Sequence, residues 1–200
     1  MSRRAEQRAA TRERIVEAAA EAFAEKGYRG ASTRDIAQRA GANQGLITYH
    51  FRSKDELWRA AADHVFGMLE TSLGARRADL ETADPRERAR EQIREYVRFA
   101  AAHPELFRIM IEEGKNDGER MDWLVETHIR RLFQAFVAGA GADDAGVEER
   151  LLPHFHYVLA GAGSLIFAVA PECRRLTGLD PTSQEAIETH AEFVARLLVP

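Results

Sequence analysis

The stretch STRDIAQRAGANQGLITYHF, residues 32–51, decides the fold of this 200-residue chain. Its apolar spacing predicts two short helices, at about 33–40 and 44–50, joined by a turn that contains Gly41. The Ser-Thr pair that opens the stretch offers a hydroxyl to cap the first helix. Two helices held at a steep angle by a short glycine-containing turn form a helix-turn-helix, whose second helix fits the major groove of DNA.

The second predicted helix carries two kinds of surface. Ile47 and Phe51 are four residues apart, so they share one face and are expected to pack into the core of the domain. Gln44 and Thr48 form a polar stripe on another face, where glutamine can bond adenine and the threonine methyl can contact thymine. Gly45 has no side chain and allows close approach to DNA. Phosphate contacts are predicted near helix ends, at Thr33, Tyr49, His50 and Lys54.

The charge of the chain is unevenly distributed. Residues 1–59 hold 12 Lys/Arg against 8 Asp/Glu, whereas the remaining residues hold 16 against 24. A DNA-binding protein needs a local positive surface, not a positive total, so a net charge of −4 does not argue against DNA. Four arginines near the start are expected on a frayed arm that reaches an adjacent groove, or else on a solvated tail: Arg3, Arg4, Arg8 and Arg12.

Helical spacing and glycine or proline punctuation predict an all-α chain of about nine helices. Residues 1–58 are expected to form the N-terminal three-helix DNA-binding domain, and residues 59–200 a C-terminal helical domain for ligand binding and dimerisation. After the two short helices, helices are predicted at 53–76, 85–102, 104–113, 119–137, 147–169 and 182–198, with the first helix of the chain at 6–26. The segment 171–181 is expected to be a loop.

Bulky apolar residues concentrate in the middle of the second domain. For any one of them a place in a packed core is the simpler interpretation. A ligand pocket is the alternative, because methionine and aromatic side chains make adaptable apolar walls around a few polar groups. The candidate pocket residues are Phe99, Phe107, Met110, Trp123, His128 and Phe155.

The last two long helices each carry a wide apolar face. Such a face either covers its own domain or pairs with a second copy, and helix-turn-helix proteins usually need two copies to read an operator. We therefore expect a homodimer through these helices, with Gly161 or Gly163 at the point of close approach. The apolar positions are Phe155, Val158, Leu159, Ala162, Leu165, Ile166 and Val169, then Ile187, Phe193, Val194, Leu197 and Leu198.

The sequence lacks the motifs that are typical of metal sites, of several enzyme families and of membrane or secreted proteins. His154 and His156 are two apart, which suits a metal chelate poorly on a helix, and the sequence has no zinc-protease or phosphate-loop motif. Cys173 is the one cysteine; a redox role is less expected than an inert position. The apolar run 158–170 is short for a bilayer, and the N-terminus lacks a signal-peptide core. We expect a cytoplasmic protein with no enzymatic activity, cofactor, metal or membrane partner.

Residues 10–58 resemble the DNA-binding domain of the tetracycline-repressor (TetR) family. The family pattern is present as Phe-x-x-x-Gly-Tyr at 23–28, Thr-x-x-Ile-Ala at 33–37 and Ala-Gly at 40–41, followed by Gly45, the Tyr-His-Phe end of the helix and Lys54-x-x-Leu57. Thr48 departs from the tyrosine that is common there. The resemblance implies a homodimeric regulator, most often a repressor, that a small ligand releases from DNA.

The sequence as a whole predicts a ligand-responsive transcriptional regulator, which binds a palindromic double-stranded DNA operator and is released by a small apolar or amphipathic effector. An all-helical enzyme or carrier that uses the C-terminal domain is the competing interpretation. An architectural DNA-binding protein without a ligand is a third.

Overall fold

The computed structural model describes residues 3–79, 84–138 and 146–200, and all regular structure in these ranges is helical. The first three helices are α1 (Arg3–Gly30), α2 (Thr33–Arg39) and α3 (Gln44–His50). The first helix is kinked at Gly27, where φ is +67°, so the glycine stop predicted after Lys26 is confirmed. Ser32 caps α2 by accepting a hydrogen bond from the Asp35 amide.

The turn between α2 and α3 depends on two residues. Gly41 has a φ of +60°, a conformation that costs other residues energy. Asn43 then caps α3, since its Oδ1 accepts from the Leu46 amide at 3.0 Å. The asparagine cap went unpredicted although asparagine is among the best N-caps.

The remaining helices make up the rest of the described chain. They are α4 (Lys54–Asp79), α5 (Pro85–Ala102), α6 (Pro104–Gly114), α7 (Glu119–Leu124), α8 (Arg130–Ala138), α9 (Leu152–Ala168), α10 (Ala170–Thr177) and α11 (Gln184–Leu198). A π-helical turn, Val125–Ile129, joins α7 to α8 without a break, and a 3-10 turn, Glu149–Leu151, leads into α9. Ser53 and Asp84 cap α4 and α5, at the starts predicted for these two helices.

Two apolar clusters hold the helices together. The first joins α1, α2 and α3 to α4, α6 and α7, so the DNA-binding domain shares a core with the body. It contains Ile47 and Phe51, as their spacing predicted, together with Ile15, Phe23, Ile36 and Leu57. The second cluster joins α5, α9 and α11. Arg94 and Arg98 of α5 reinforce it through ion pairs with Glu192 and Glu188 of α11.

Three expectations about the helices were wrong. The predicted loop at 171–181 contains α10, because Pro171 starts a helix at its first turn and Gly178, at φ +76°, ends it. The described chain therefore has ten helices when α7 and α8 are counted as one. The four arginines predicted on a frayed arm lie instead in the regular first turns of α1. The helix predicted from residue 147 begins only at Leu152, as α9. Cys173 is buried on α10.

One helical segment, Glu149–Ala168, is long and apolar enough to cross a membrane by length and composition. The argument that its apolar run is too short therefore does not hold for the helix as a whole. Only 28% of the segment is buried. One side of α9 packs in the second cluster, and the other side exposes Val158 and Leu165.

Candidate nucleic-acid interface and ligand cavity

The second helix of the helix-turn-helix presents its polar side to solvent. Gln44, Gly45, Thr48 and Tyr49 are all exposed, and the Tyr49 ring remains 62% accessible. Ile47 lies in the core, as its spacing predicted. The glycine at position 45 is also favoured by the local structure, because a Cβ there would lie 3.1 Å from the Oδ1 of the capping Asn43. The helix thus offers a smooth polar face that can enter a groove.

The predicted phosphate contacts lie at the edges of this face. Thr33, His50 and Lys54 are half-buried, at the first turn of α2, the last turn of α3 and the first turn of α4. The Lys54 ammonium stands 4.7 Å from the centroid of the Tyr28 ring. Burial and the neighbouring Arg120 lower the pKa of Lys54 from its ordinary value.

The start of α1 belongs to the same surface. The Arg8 guanidinium lies 5.1 Å from the centroid of Tyr49, and Arg12 lies 5.2 Å from that of Phe51. Burial, and then the charges of Arg8 and Arg12, lower the pKa of His50. Arg8 and Arg12 are four residues apart, so they lie on one face of a helix. This spacing is the feature of the sequence from which their shared position could have been predicted.

One charged side chain of the body contacts the aromatic residues of this domain. Arg120, on the first turn of α7, stacks on Tyr28 at 3.9 Å and lies 5.7 Å from the centroid of Trp58. Its Nε donates to Glu113 Oε2 at 3.0 Å, and the Glu113 side chain is buried. Because the Lys54 ammonium also lies over Tyr28, Arg120 of the body and Lys54, a predicted phosphate contact, share one aromatic ring.

The six candidate pocket residues do not form one site. Phe99, Met110, Trp123 and His128 surround the first apolar cluster, whereas Phe107 and Phe155 pack in the second. A cleft of about 630 Å³ lies between α4 and α5, and of the six only Phe99 lines it. Its other described lining residues, which sequence reasoning missed, are Asp63, His64, Gly67, Met68, Thr71 and Ser72 of α4, and His103 after α5.

The apolar faces of α9 and α11 are divided between the core and the surface. The exposed members are Val158 and Leu165 of α9, Val169 directly after it, and Phe193 and Leu197 of α11. Tyr157 of α9 is exposed as well. The other predicted members pack inward: Phe155, Leu159, Ala162, Ile166, Ile187, Val194 and Leu198. We call the exposed set the α9–α11 face.

The two glycines of α9 have different surroundings. A Cβ at Gly161 would meet nothing within 4 Å. A Cβ at Gly163 would lie 2.7 Å from Cε1 of Tyr96, because this glycine is buried against α5. The expectation that Gly163 lies at a point of approach to another molecule was therefore wrong, and Gly161 alone fits that position.

An exposed polar helix in a helix-turn-helix, with basic groups around it, is the arrangement by which proteins of this class bind DNA. Residues 15–61 match the sequence model of a family described as bacterial regulatory proteins, tetR family. In this segment the chain is similar to that family, as its motifs indicated, and it has the fold of an N-terminal helix-turn-helix with a C-terminal helical domain.

The chain is also similar to individual proteins. It is 30% identical over 115 residues to the HTH-type transcriptional repressor NicS of Pseudomonas putida, a match that spans 58% of this chain and about half, 53%, of that protein. AibR in complex with isovaleryl coenzyme A and operator DNA superposes with a TM-score of 0.67, at 21% identity and with 95% and 98% of the two chains covered. FadR of Bacillus subtilis with stearoyl-CoA also gives 0.67, at 17% identity, covering 94% and 97%.

Proposed function

We propose that this protein is a cytoplasmic, ligand-responsive repressor that binds a palindromic operator as a homodimer and is released by a small apolar or amphipathic effector. The observation that carries the proposal is the polar face of α3, exposed between the arginines of α1 and the Lys54 end of α4. A gel-shift assay with the DNA upstream of its own gene tests operator binding directly. An enzyme or carrier would leave this DNA unshifted, and an architectural protein would shift it no better than random DNA.

Two neighbours support the effector part of the proposal. AibR was solved with isovaleryl coenzyme A and operator DNA together, and FadR with stearoyl-CoA. Both have this chain's fold, so an acyl-coenzyme A is a suitable first test compound. A thermal-shift screen detects any ligand of the folded state, since a ligand at a hundred times its dissociation constant adds about 2.7 kcal/mol. An architectural protein would show no shift with any compound.

Within α3, we assign base reading to Gln44 and Thr48. Gln44→Ala is expected to weaken binding to an operator, selected from random DNA with the purified protein, by about 1–3 kcal/mol. Binding to random DNA is expected to change little, because the lost contacts are to bases. Titrations on both DNAs measure the difference. Equal losses on both DNAs would overturn the assignment.

Lys54 is the matched comparison, because its ammonium is placed to neutralise a phosphate whatever the sequence. Lys54→Ala is expected to weaken operator and random DNA alike. It is also expected to reduce the slope of log affinity against log salt by about one unit. Lys54→Arg, which retains the charge, is expected to restore most of that slope. An unchanged slope in Lys54→Ala would place Lys54 away from the phosphates.

His50 is expected to make operator binding depend on pH. In the free protein its pKa is lowered by burial and by Arg8 and Arg12, so the folded protein favours the neutral ring. DNA phosphates oppose those two charges, so the pKa is higher in the complex and a proton is taken up on binding. Operator affinity should therefore rise as the pH falls from about 7 to 5, around and below the ordinary histidine value.

Measurements of affinity at constant ionic strength across this range test the effect, with His50→Gln as the control. The variant is expected to have a flatter profile than the wild type. In the free protein the lowered pKa of His50 affects folding as well. The unfolded chain binds the proton more readily than the folded protein, so protonation favours unfolding. Folded-state stability is thus lost as the pH falls below about 6.5, so unfolding must be followed in parallel. A profile that His50→Gln leaves unchanged would exclude His50 from the interface.

A further inference from the structure

We propose that the cleft between α4 and α5 holds the effector, and that the effector is an amine with an apolar body whose cationic group binds Asp63. The inference rests on the proposed ligand-responsive function and adds the place and the chemical class of the ligand. Four observations carry it: the shape of the cleft, its charge, the bond that Asp63 makes, and the ring contacts that connect this bond to the DNA-binding surface.

The cleft has the mixed lining that a small amphiphile requires. Its volume of about 630 Å³ falls within the usual range for small-molecule sites. Phe99 and Met68 supply apolar wall, and Phe99 is 6% exposed. Thr71 and Ser72 add hydroxyl groups along one edge. An apolar body therefore fits beside Phe99 while a polar head remains at the α4 edge.

The charge of the lining favours a cation. The described lining residues include Asp63 but neither lysine nor arginine, and the Asp63 side chain is 56% accessible. Two carboxylates stand behind the wall: Ser72 donates to Glu95, and His103 Nδ1 lies 3.0 Å from Glu105. Arg98 approaches Glu95 no closer than 4.0 Å. An ammonium group is attracted to such a wall, whereas a phosphate or carboxylate head would face Asp63 unpaired.

Asp63 is bonded to a buried histidine that a ligand can displace. His128 Nε2 lies 2.9 Å from Asp63 Oδ1, and the other ring nitrogen, Nδ1, is buried without a hydrogen-bond partner. Burial lowers the pKa of His128, which favours a neutral ring that donates from Nε2. His128 lies in the π-helical turn, a rare element that is frequently found at functional sites. An ammonium on Asp63 competes directly for the carboxylate that now accepts from His128.

A continuous series of ring contacts leads from His128 towards Lys54, the proposed phosphate contact. The His128 ring lies 5.3 Å from Trp123, Trp123 lies 5.7 Å from Trp58, and Trp58 lies 6.4 Å from Tyr28, measured between centroids. The Lys54 ammonium lies 4.7 Å from the centroid of the Tyr28 ring. A shift of His128 is thus passed through packed rings to the proposed phosphate contact. The two tryptophans in this series are the only two in the chain, so tryptophan fluorescence reports on it specifically.

The test uses three probes with the same apolar body: 4-phenylbutylamine, 4-phenylbutanol and 4-phenylbutyrate. Calorimetry on the full-length protein is expected to show the amine binding roughly three- to tenfold more tightly than the other two, since one half-exposed ion pair is being gained. Asp63→Asn should abolish the preference. Glu126→Gln, which removes the same charge from an exposed carboxylate paired with Arg130, should retain it.

Fluorescence and gel shift test the connection to DNA. The amine is expected to change tryptophan emission and to reduce operator binding in the wild type but not in Asp63→Asn. His128→Phe retains the stack on Phe66, at 4.5 Å in the wild type, so it should fold, bind the amine and lose the emission change. Urea unfolding of each variant confirms that it folds.

The outcomes separate this inference from the proposed function. Tighter binding of the butyrate, no binding of any probe, or an amine preference that survives Asp63→Asn would each overturn the inference. If stearoyl-CoA releases the operator while the amine does not, the ligand-responsive function stands and the cationic class is wrong. A protein that binds no operator under any condition would overturn the proposed function itself.

Discussion

Phe193→Glu is expected to convert the protein to a folded monomer whose operator affinity is at least about a hundredfold lower. Phe193 is 62% exposed on α11, beside Leu197, and the α9–α11 face continues through Val158 and Leu165. Large apolar side chains left exposed together on two helices that pack against each other favour an interaction site. Pairing two copies through it also accounts for the apolar, largely unburied helix at Glu149–Ala168. A glutamate in the middle of such an interface is an uncompensated buried charge.

The loss in operator affinity follows from the two half-sites. Each helix-turn-helix reads one half-site, and pairing makes the second binding event intramolecular, which strengthens binding by about a hundredfold or more. Light scattering measures the oligomeric state, and gel shifts on one and two half-sites measure the affinity. Ile111→Glu, the same kind of change at an exposed apolar residue of α6, is the control and should remain dimeric. A clean Phe193→Glu dimer would place the interface elsewhere.

Gly163→Leu is expected to lower the free energy of unfolding by about 1–3 kcal/mol, by overpacking the core. The first added atom already falls 2.7 Å from Cε1 and 2.9 Å from Cδ1 of Tyr96. Tyr96 has limited room to move, because its half-buried ring packs against the first apolar cluster and lies 5.9 Å from Phe107. Urea unfolding at fixed protein concentration measures the change.

Gly161→Leu is the matched variant, two residues earlier on the same helix. Its side chain enters open space within one chain, and leucine is a better helix former than glycine by roughly 1 kcal/mol. A single chain should therefore tolerate it, while close approach of a second copy should not, so light scattering and not unfolding should register the change. A Gly163→Leu variant of wild-type stability that fails to dimerise would return Gly163 to the interface.

Local signals in the sequence were enough for most of the helices. Gly27, Ser32, Ser53 and Asp84 act where their chemistry predicted, because caps and glycine stops depend on residues three or four positions away. The α10 helix was missed because the whole segment 171–181 was predicted as a loop, whereas Pro171 lies in the first turn of a helix, a position that proline favours. The asparagine cap of α3 was missed although its signal was equally local.

The candidate site likewise has a part that local sequence signals predict and a part that they do not. The outward polar stripe of α3 follows from a 3.6-residue period and the inward position of Ile47, so sequence alone predicted it. The cleft is different, since its walls are α4 and the end of α5, some thirty residues apart. A list of bulky residues could not separate Phe99, which lines the cleft, from Phe155, which packs in the second cluster. Asp63 and His128 meet only through folding, 65 positions apart.

By itself the sequence determined the helix-turn-helix, its outward residues, the all-helical class and the similarity of residues 15–61 to the tetR family, because each depends on contacts within a few residues or on a contiguous motif. Only the tertiary structure decided which of Gly161 and Gly163 is covered by Tyr96, which apolar residues of α9 and α11 remain exposed, and that Arg120 reaches Tyr28. These are matters of how helices distant in sequence rotate and pack against one another, and helical periodicity describes a face without naming what it packs against.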